Sequence, residues 1–391
     1  MLYMMPKEII FFIAGDSGNV STWSNIPYFF TKTLIEKGIK VDRVDLSKTL
    51  HYKLFTIGGG KFRKLLSLFF PNNQYYYCKS PLYVHLTYRL IKKAVRKYSN
   101  ADLCIMINFD FYNKFSNIPT LLFSDWTYKI EILEHLGRKP YFFEKKFFKC
   151  EKEAVERADY VVSLFPECAK MMREDYPNAN IHYLGGNVVN SFYDKKHDVE
   201  SFIEQKKRSK RILFIGREHY IKGALLLIEA LKLLREKKEE ISLDIIGMTK
   251  GYFHNLPDYV HCHGYLHKEI EEERKLYYDL IIGARLFANP TELWAGFSST
   301  IEAMYFATPV VVSPYKDFVG DFGAEIDFGT YNKEFSAVQL AKNILNVINS
   351  PDYCALCRNA YKRVKNYTWD AYVDRILKLV DQGKHEGQVK R

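Results

Sequence analysis

Short apolar runs alternate with helix-periodic stretches along the whole chain. Residues 9–14, 40–44, 103–108, 120–123, 159–164 and 181–183 read as strands, the first of them fully buried. Gly15-Asp16-Ser17-Gly18 reads as a turn, residues 27–37 as a helix stopped at Gly38, and residues 144–157 as a longer helix. Residues 191–210 are polar, rich in Lys and weakly periodic, and are expected to form a linker. The pattern then restarts. Strands are expected at 211–216, 242–247, 259–263, 286–289 and 309–312, with helices at 223–236, 299–306, 336–349 and 369–381. Strand, turn and helix in repetition predict an α/β fold with parallel sheets and helices on both faces. Two units of similar size follow, residues 1–195 and residues 205–365.

Composition agrees with this division. At 391 residues the chain exceeds what one hydrophobic core usually supports, and 47% hydrophobic with 26% charged residues is globular rather than disordered. No apolar run approaches the roughly 20 residues that span a bilayer. The apolar opening reads as a first strand rather than a signal peptide, so a cytoplasmic location is expected. The seven dispersed cysteines are expected to be reduced. Cys354 and Cys357 form a CxxC without a second pair, and His261, Cys262 and His263 alternate across a strand, so no metal or other cofactor is expected. The net charge of +11 suits nucleic acid, an anionic membrane or phosphorylated substrates, and does not choose among them.

Two stretches carry candidate chemistry. In the first, a strand ends at Gly216 and a loop with Arg217 and Lys222 leads into a helix at Gly223. Ligands of open α/β sheets bind beyond the strands' carboxyl ends, and a helix N-terminus there attracts an anion. Two flexible cations beside it suit a pyrophosphate, and solvated surface charges are the plain alternative. In the second, a strand ends at Pro290, and Thr291, Glu292, Trp294, Gly296, Phe297, Ser298, Ser299 and Thr300 lead to Glu302, expected in the first turn of the next helix. Small residues admit a phosphate, and a carboxylate one turn in accepts hydrogen bonds from ribose hydroxyls. The alternative is that Glu302 complements the helix dipole. Earlier, Asp125 follows a strand and either orients a substrate hydroxyl or caps a turn.

Together, Gly216-Arg217, Lys222-Gly223, Pro290-Thr291, Gly296-Phe297, Glu302-Ala303-Met304, Thr308-Pro309-Val310-Val311 and Tyr367-Thr368-Trp369-Asp370 resemble the donor lobe of retaining GT-B glycosyltransferases. That family, the glycosyl transferases group 1 or family 4, includes sucrose synthases and many bacterial cell-surface sugar transferases. The resemblance covers about residues 210–380, and the first half matches only in layout, with Gly15 and Gly18 at the glycine-loop position. It implies two Rossmann-like α/β/α domains facing each other across a cleft, with a closing helix, residues 366–385, packed back on the first domain. It implies a hexosyltransferase in which Arg217 and Lys222 grip the donor diphosphate, Glu302 holds the ribose, and backbone groups around 297–300 contact sugar or phosphate. The first lobe, with Asp125, would take a glycan or lipid-linked acceptor in cell-surface polysaccharide synthesis. Two departures stand out. The family's other Glu, eight positions before Glu302, is Trp294 here, with Glu292 the nearest carboxylate. Residues 314–323 replace the family's paired glycines and Glu.

Residues 61–70, 88–98 and 142–149 mix basic with aromatic side chains, which suits an anionic membrane surface and, less specifically, single-stranded nucleic acid or a solvated face. Because acceptors in this family are often lipid-linked, peripheral membrane contact is the preferred reading and nucleic acid is not expected. The competing readings are an inactive sugar- or lipid-binding relative, and a phosphorylase or epimerase on the same fold. A nicotinamide enzyme is disfavoured because the first turn lacks GxGxxG.

Overall fold

In the computed structural model, residues 5–48, 68, 77–292 and 297–389 are described. The chain divides into two compact units, Met1–Gly185 with Trp369–Arg391, and Gly186–Thr368.

The first unit holds a six-stranded sheet with the order β2-β1-β3-β4-β5-β6. Its strands are β1 (Glu8–Ile13), β2 (Lys40–Asp45), β3 (Leu103–Met106), β4 (Thr120–Ser124), β5 (Tyr160–Ser163) and β6 (Ile181–Tyr183), every pair parallel. Parallel strands covered on both faces are continuous apolar runs, and Ile9 to Phe12 and Leu103 to Met106 are fully buried. Helices α1 (Ile26–Glu36), α2 (Pro81–Lys97), α3 (Lys145–Arg157) and α4 (Pro166–Asp175) supply the layers. Pro27 opens α1 and Gly38, at φ +81°, follows its end.

The second unit repeats the plan, with the order β12-β11-β10-β7-β8-β9 and all pairs parallel. Its strands are β7 (Arg211–Ile215), β8 (Ser242–Ile246), β9 (Val260–Gly264), β10 (Leu286–Asn289), β11 (Val310–Val312) and β12 (Gly329–Tyr331). Its helices are α5 (Val199–Arg208), α6 (Ile221–Glu236), α7 (Glu271–Gly283), α8 (Ser298–Tyr305), α9 (Lys316–Phe322), α10 (Ala337–Ile348) and α11 (Tyr353–Val364). Leu227, Leu231 and Leu234 of α6 pack with Leu340 and Ile344 of α10 over β7, β8 and β10.

One expectation fails here. The polar stretch 191–210 is no free linker, because it contains α5. Phe202 and Ile203 are buried, and the fully buried Lys206 donates from Nζ to the carbonyls of Ile281 (2.9 Å) and Ile282 (2.8 Å) at the end of α7. A cation there satisfies carbonyls that the helix itself leaves unpaired.

The closing helix α12 (Trp369–Val389) belongs to the first unit. Trp369 stacks on Phe30 of α1 with ring centroids 5.3 Å apart, and Tyr372 meets Phe123 of β4 at 5.9 Å. Lys37 joins Asp370 (2.6 Å) and Asp374 (2.7 Å) at the edge of this contact.

Candidate active site

Both sheets have a point where the strand order reverses. In the second unit β7 leads to β8 and β9 on one side, while β10, β11 and β12 lie on the other. The loops after β7 and β10 therefore meet at the switch point, the usual ligand crevice of an open α/β sheet. Gly216 closes β7, its amide donating to the Ile246 carbonyl (2.9 Å), and a Cβ there would stand 2.8 Å from the Phe214 ring. Arg217 is exposed, with its guanidinium 4.9 Å from the centre of the Tyr265 ring. After one 3-10 turn, Glu218–Tyr220, α6 begins at Ile221, so Lys222 lies within the helix's first turn rather than in the loop. Lys222 is exposed and has no partner among the described residues. The first turn of α6 has no acidic residue and no side-chain cap. The Ile221 amide is taken by the Glu218 carbonyl across the 3-10 turn, and a cation at this end of the helix opposes the dipole unless an anion joins it.

The second stretch packs directly on the first. A Cβ on buried Gly223 would overlap Thr291 Oγ1 and stand 3.2 Å from the Thr291 amide nitrogen, so only glycine lets α6 meet the loop after β10. Thr291 Oγ1 and Thr300 Oγ1 are buried and without a hydrogen-bond partner among the described residues. Ser298 is exposed and Ser299 half-buried at the start of α8, whereas Phe297 is buried edge-on to Phe318 at 5.4 Å. Glu292 is exposed, and Trp294 and Gly296 lie outside the described residues.

Glu302 is the fifth residue of α8, one residue further in than the sequence suggested and just past the first turn, where a carboxylate would complement the dipole. Its buried carboxylate accepts both contacts of Lys268 Nζ (2.8 and 2.7 Å) and the hydroxyl of Tyr277 (2.8 Å), with Tyr278 at 3.4 Å. Lys268 Nζ also donates to the Asn190 carbonyl (3.2 Å) and lies 4.1 Å from the Tyr277 ring centre. Burial first, and then the neighbouring carboxylate, push both tyrosine hydroxyls well above their ordinary range. None of these partners was identified from the sequence. The one available signal was position, since Lys268 lies in the loop beyond the carboxyl end of β9.

Gly15, Gly18 and Asp125 belong to the first unit. Gly15 holds φ +125° and donates to Asp45 Oδ1 (2.9 Å), and Gly18 donates to Asp16 Oδ1 (2.8 Å). Here the reversal falls between β1 and β3, and a cavity of about 300 Å³ opens at their carboxyl ends. Asp125, Asp110 and Glu131 line it with Lys79, Trp23 and Trp126. Asp125 Oδ1 accepts from Ser124 Oγ (3.1 Å) and the Trp126 amide (2.9 Å), while burial pushes its carboxyl above the ordinary range. Thr127, not Asp125, caps the following turn, accepting from the Ile130 amide at 3.2 Å.

On α2, Arg89, Lys92, Lys93, Arg96 and Lys97 are all exposed, opposite the buried Tyr88, Ile91 and Val95. Phe142, Leu133 and Leu136 are exposed near the exposed Lys139, Lys145 and Lys146. Residues 61–67 and 69–70 of the third basic aromatic stretch lie outside the described residues. No helix among the described residues is long and apolar enough to cross a membrane. Cys354 and Cys357 are free thiols on α11, and His263 is bonded to Asp244 at 2.7 Å.

Residues 196–367 match the family described as glycosyl transferases group 1. No curated protein matches the chain. Among solved structures, the chain is similar to sucrose-phosphate synthase from Thermosynechococcus elongatus, with a TM-score of 0.65 at 16% identity over 96% of this chain and 98% of that one. It is similar to WaaG, a glycosyltransferase involved in lipopolysaccharide biosynthesis, with a TM-score of 0.61 at 14% identity over 95% and 99%. Anabaena HepE in complex with UDP and glucose gives 0.57 at 14% identity over 99% and 100%. At such identities the likeness is one of fold, two α/β units of the GT-B kind.

Proposed function

We propose that this chain, whose residues 196–367 match the glycosyl transferases group 1 family, is a glycosyltransferase that moves a sugar from a nucleotide-sugar to a hydroxyl of a glycan or lipid-linked acceptor. The observation that carries this reading is the exposed, unpaired Lys222 in the uncapped first turn of α6, packed through Gly223 against Thr291. The positive end of a helix dipole, an unpaired ammonium and the nearby guanidinium of Arg217 suit a diphosphate. As the leaving group departs, its charge grows, and cations fixed in advance stabilise it, usually the largest catalytic contribution. Backbone groups at 298–300 and the loop with Glu292 and Gly296 would contact the sugar, and Glu302 the ribose. Retention of configuration, with front-face attack assisted by the leaving phosphate, follows the family resemblance. The complex of HepE with UDP and glucose makes UDP-sugars the first donors to try. Asp125 in the first unit would orient the acceptor hydroxyl. The exposed Phe142, Leu133 and Leu136 among lysines, with the basic face of α2, would hold the protein on the anionic leaflet carrying a lipid-linked acceptor in cell-surface glycan synthesis.

One observation favours a second reading, sugar binding without turnover. Both oxygens of Glu302 are already engaged by Lys268, so a ribose diol has to share them. Calorimetry with UDP-, GDP-, ADP- and CDP-sugars, followed by a turnover assay, separates the two. One nucleotide class is expected to bind, with Lys222→Ala weakening it at least tenfold and lowering turnover by roughly 10²-fold or more. Because Lys222 is exposed, the fold should be untouched. Equal binding by Lys222→Ala refutes the diphosphate assignment, and binding without transfer or donor hydrolysis selects the inactive relative.

A further inference from the structure

The cavity in the first unit carries more than a location for the acceptor. Its described wall sets three carboxyl groups, Asp110, Asp125 and Glu131, against one cation, Lys79, with Asn108 and Ser124 beside them. The Ser124 side-chain and Trp126 amide bonds to Asp125 both go to Oδ1, and no described residue donates to the carboxylate of Glu131. Asp110 lies 3.6 Å from Lys79, whose ammonium is also held over the rings of Tyr128 (4.1 Å) and Phe147 (4.0 Å). Lys79, the single cation among the described lining residues, is therefore committed to the wall. Directly behind, the buried Glu151 accepts from the amides of Tyr128 and Lys129, and its carboxyl is pushed up to about 8 by burial and by Asp110. Burial also raises Asp110, Asp125 and Glu131, and at Glu131 the neighbouring Asp125 and Asp110 add to it.

Aromatic rings form another part of the wall. Trp126 packs at 5.1 Å against Phe165, and Trp23 is set edge-on to Phe123 at 6.4 Å. Trp23, Ser24 and Asn25 all hold positive φ, so the loop that brings Trp23 to the cavity is kept in a conformation its residues rarely choose.

A ligand for such a space must donate hydrogen bonds, present an apolar face and carry no negative charge. A phosphate or carboxylate ionised at neutral pH brings negative charge to a wall where three carboxyl groups face one cation. We propose that this cavity is a sugar subsite that takes an uncharged sugar ring of the acceptor, hydroxyls toward Asp125 and Glu131 and C–H surface toward Trp23 and Trp126, and excludes phosphorylated and uronic sugars. The word acceptor rests on the transferase reading above; the sugar subsite does not.

Saturation-transfer NMR on the full chain tests it, with methyl glycosides of glucose, galactose, mannose and N-acetylglucosamine against glucuronate and glucose 6-phosphate. At least one uncharged glycoside is expected to bind, with affinity falling fivefold or more in Glu131→Gln and in Trp126→Ala, and the anionic sugars at least tenfold weaker than their uncharged parents. An anionic sugar bound as tightly as its parent, no glycoside bound at all, or binding unchanged in Glu131→Gln overturns the proposal. Glu131→Gln alone decides if Trp126→Ala does not fold. Nucleotide-sugar binding without glycoside binding sinks only the subsite. Glycoside binding with no nucleotide-sugar bound upholds the subsite and sinks the transferase reading.

Discussion

Glu302 and Lys268 show how much a single pair can decide. Their side chains are 5% and 13% exposed, and the carboxylate is enclosed by the ammonium and Tyr277. Removing one member of a buried ion pair leaves a charge with little solvent to answer it, typically about 3–5 kcal/mol. Lys268→Met is therefore expected to destabilise the second unit by about 3 kcal/mol, read as a lowered midpoint in urea unfolding followed by Trp and Tyr fluorescence. Glu302→Gln keeps an acceptor for Tyr277 and is expected to be milder. If Lys268→Met unfolds with the natural midpoint, the pair is not holding α8 in place. Neither Lys268 nor Tyr277 was legible in the sequence, because they reach Glu302 from 34 and 25 positions away and a linear pattern carries no such pairing.

Between elements, the contact of α6 with the loop after β10 rests on the missing side chain of Gly223. Gly223→Ala gains about 1 kcal/mol of helix propensity and loses more by overpacking, typically 1–3 kcal/mol. The variant is expected to be destabilised, and Thr291→Ala in the same chain to recover at least 1 kcal/mol. A double-mutant cycle in urea measures this, and simple additivity would show that the two stretches are not in contact. Element boundaries themselves were largely open to sequence reading. A strand buried on both faces must be an apolar run, so β7, β8 and β10 announce themselves within a residue. Helix α5 was hidden because Lys206, read as polar and exposed, is one of its buried residues. Strand β12, three residues long and starting at a glycine, offers almost no pattern at all.

At the scale of the molecule, the first unit is assembled from two separate stretches of chain. Trp369, Tyr372, Val373, Ile376, Leu377 and Val380 are buried in it, and Tyr160 donates to the Val380 carbonyl at 3.2 Å. Burying that many large side chains at about 1.5–3 kcal/mol each is worth as much as the whole stability of a typical domain, about 5–15 kcal/mol. A chain ending at 368 is expected to lose the first unit and keep the second. Limited proteolysis should then leave a resistant fragment spanning about 186–368, and protection of residues 5–185 in that truncated chain would contradict it. The site was legible at the same coarse level. The strand-end rule pointed to Arg217, Lys222 and Asp125, while the partners of Glu302 and the wall formed by Lys79, Asp110 and Glu131 depend on contacts only the fold creates.

The interrupted first unit also fixes an order of events on the ribosome. Residues 186–368 are contiguous and can fold as soon as they emerge. The part of the first unit made before them has Phe30 of α1 and Phe123 of β4 uncovered until Trp369 and Tyr372 have been translated. The half synthesised first is thus completed last, and the nascent chain carries an open aromatic surface through the making of an entire second domain. That interval is where the protein most needs a chaperone, and where slowed translation beyond residue 185 would prolong exposure to aggregation.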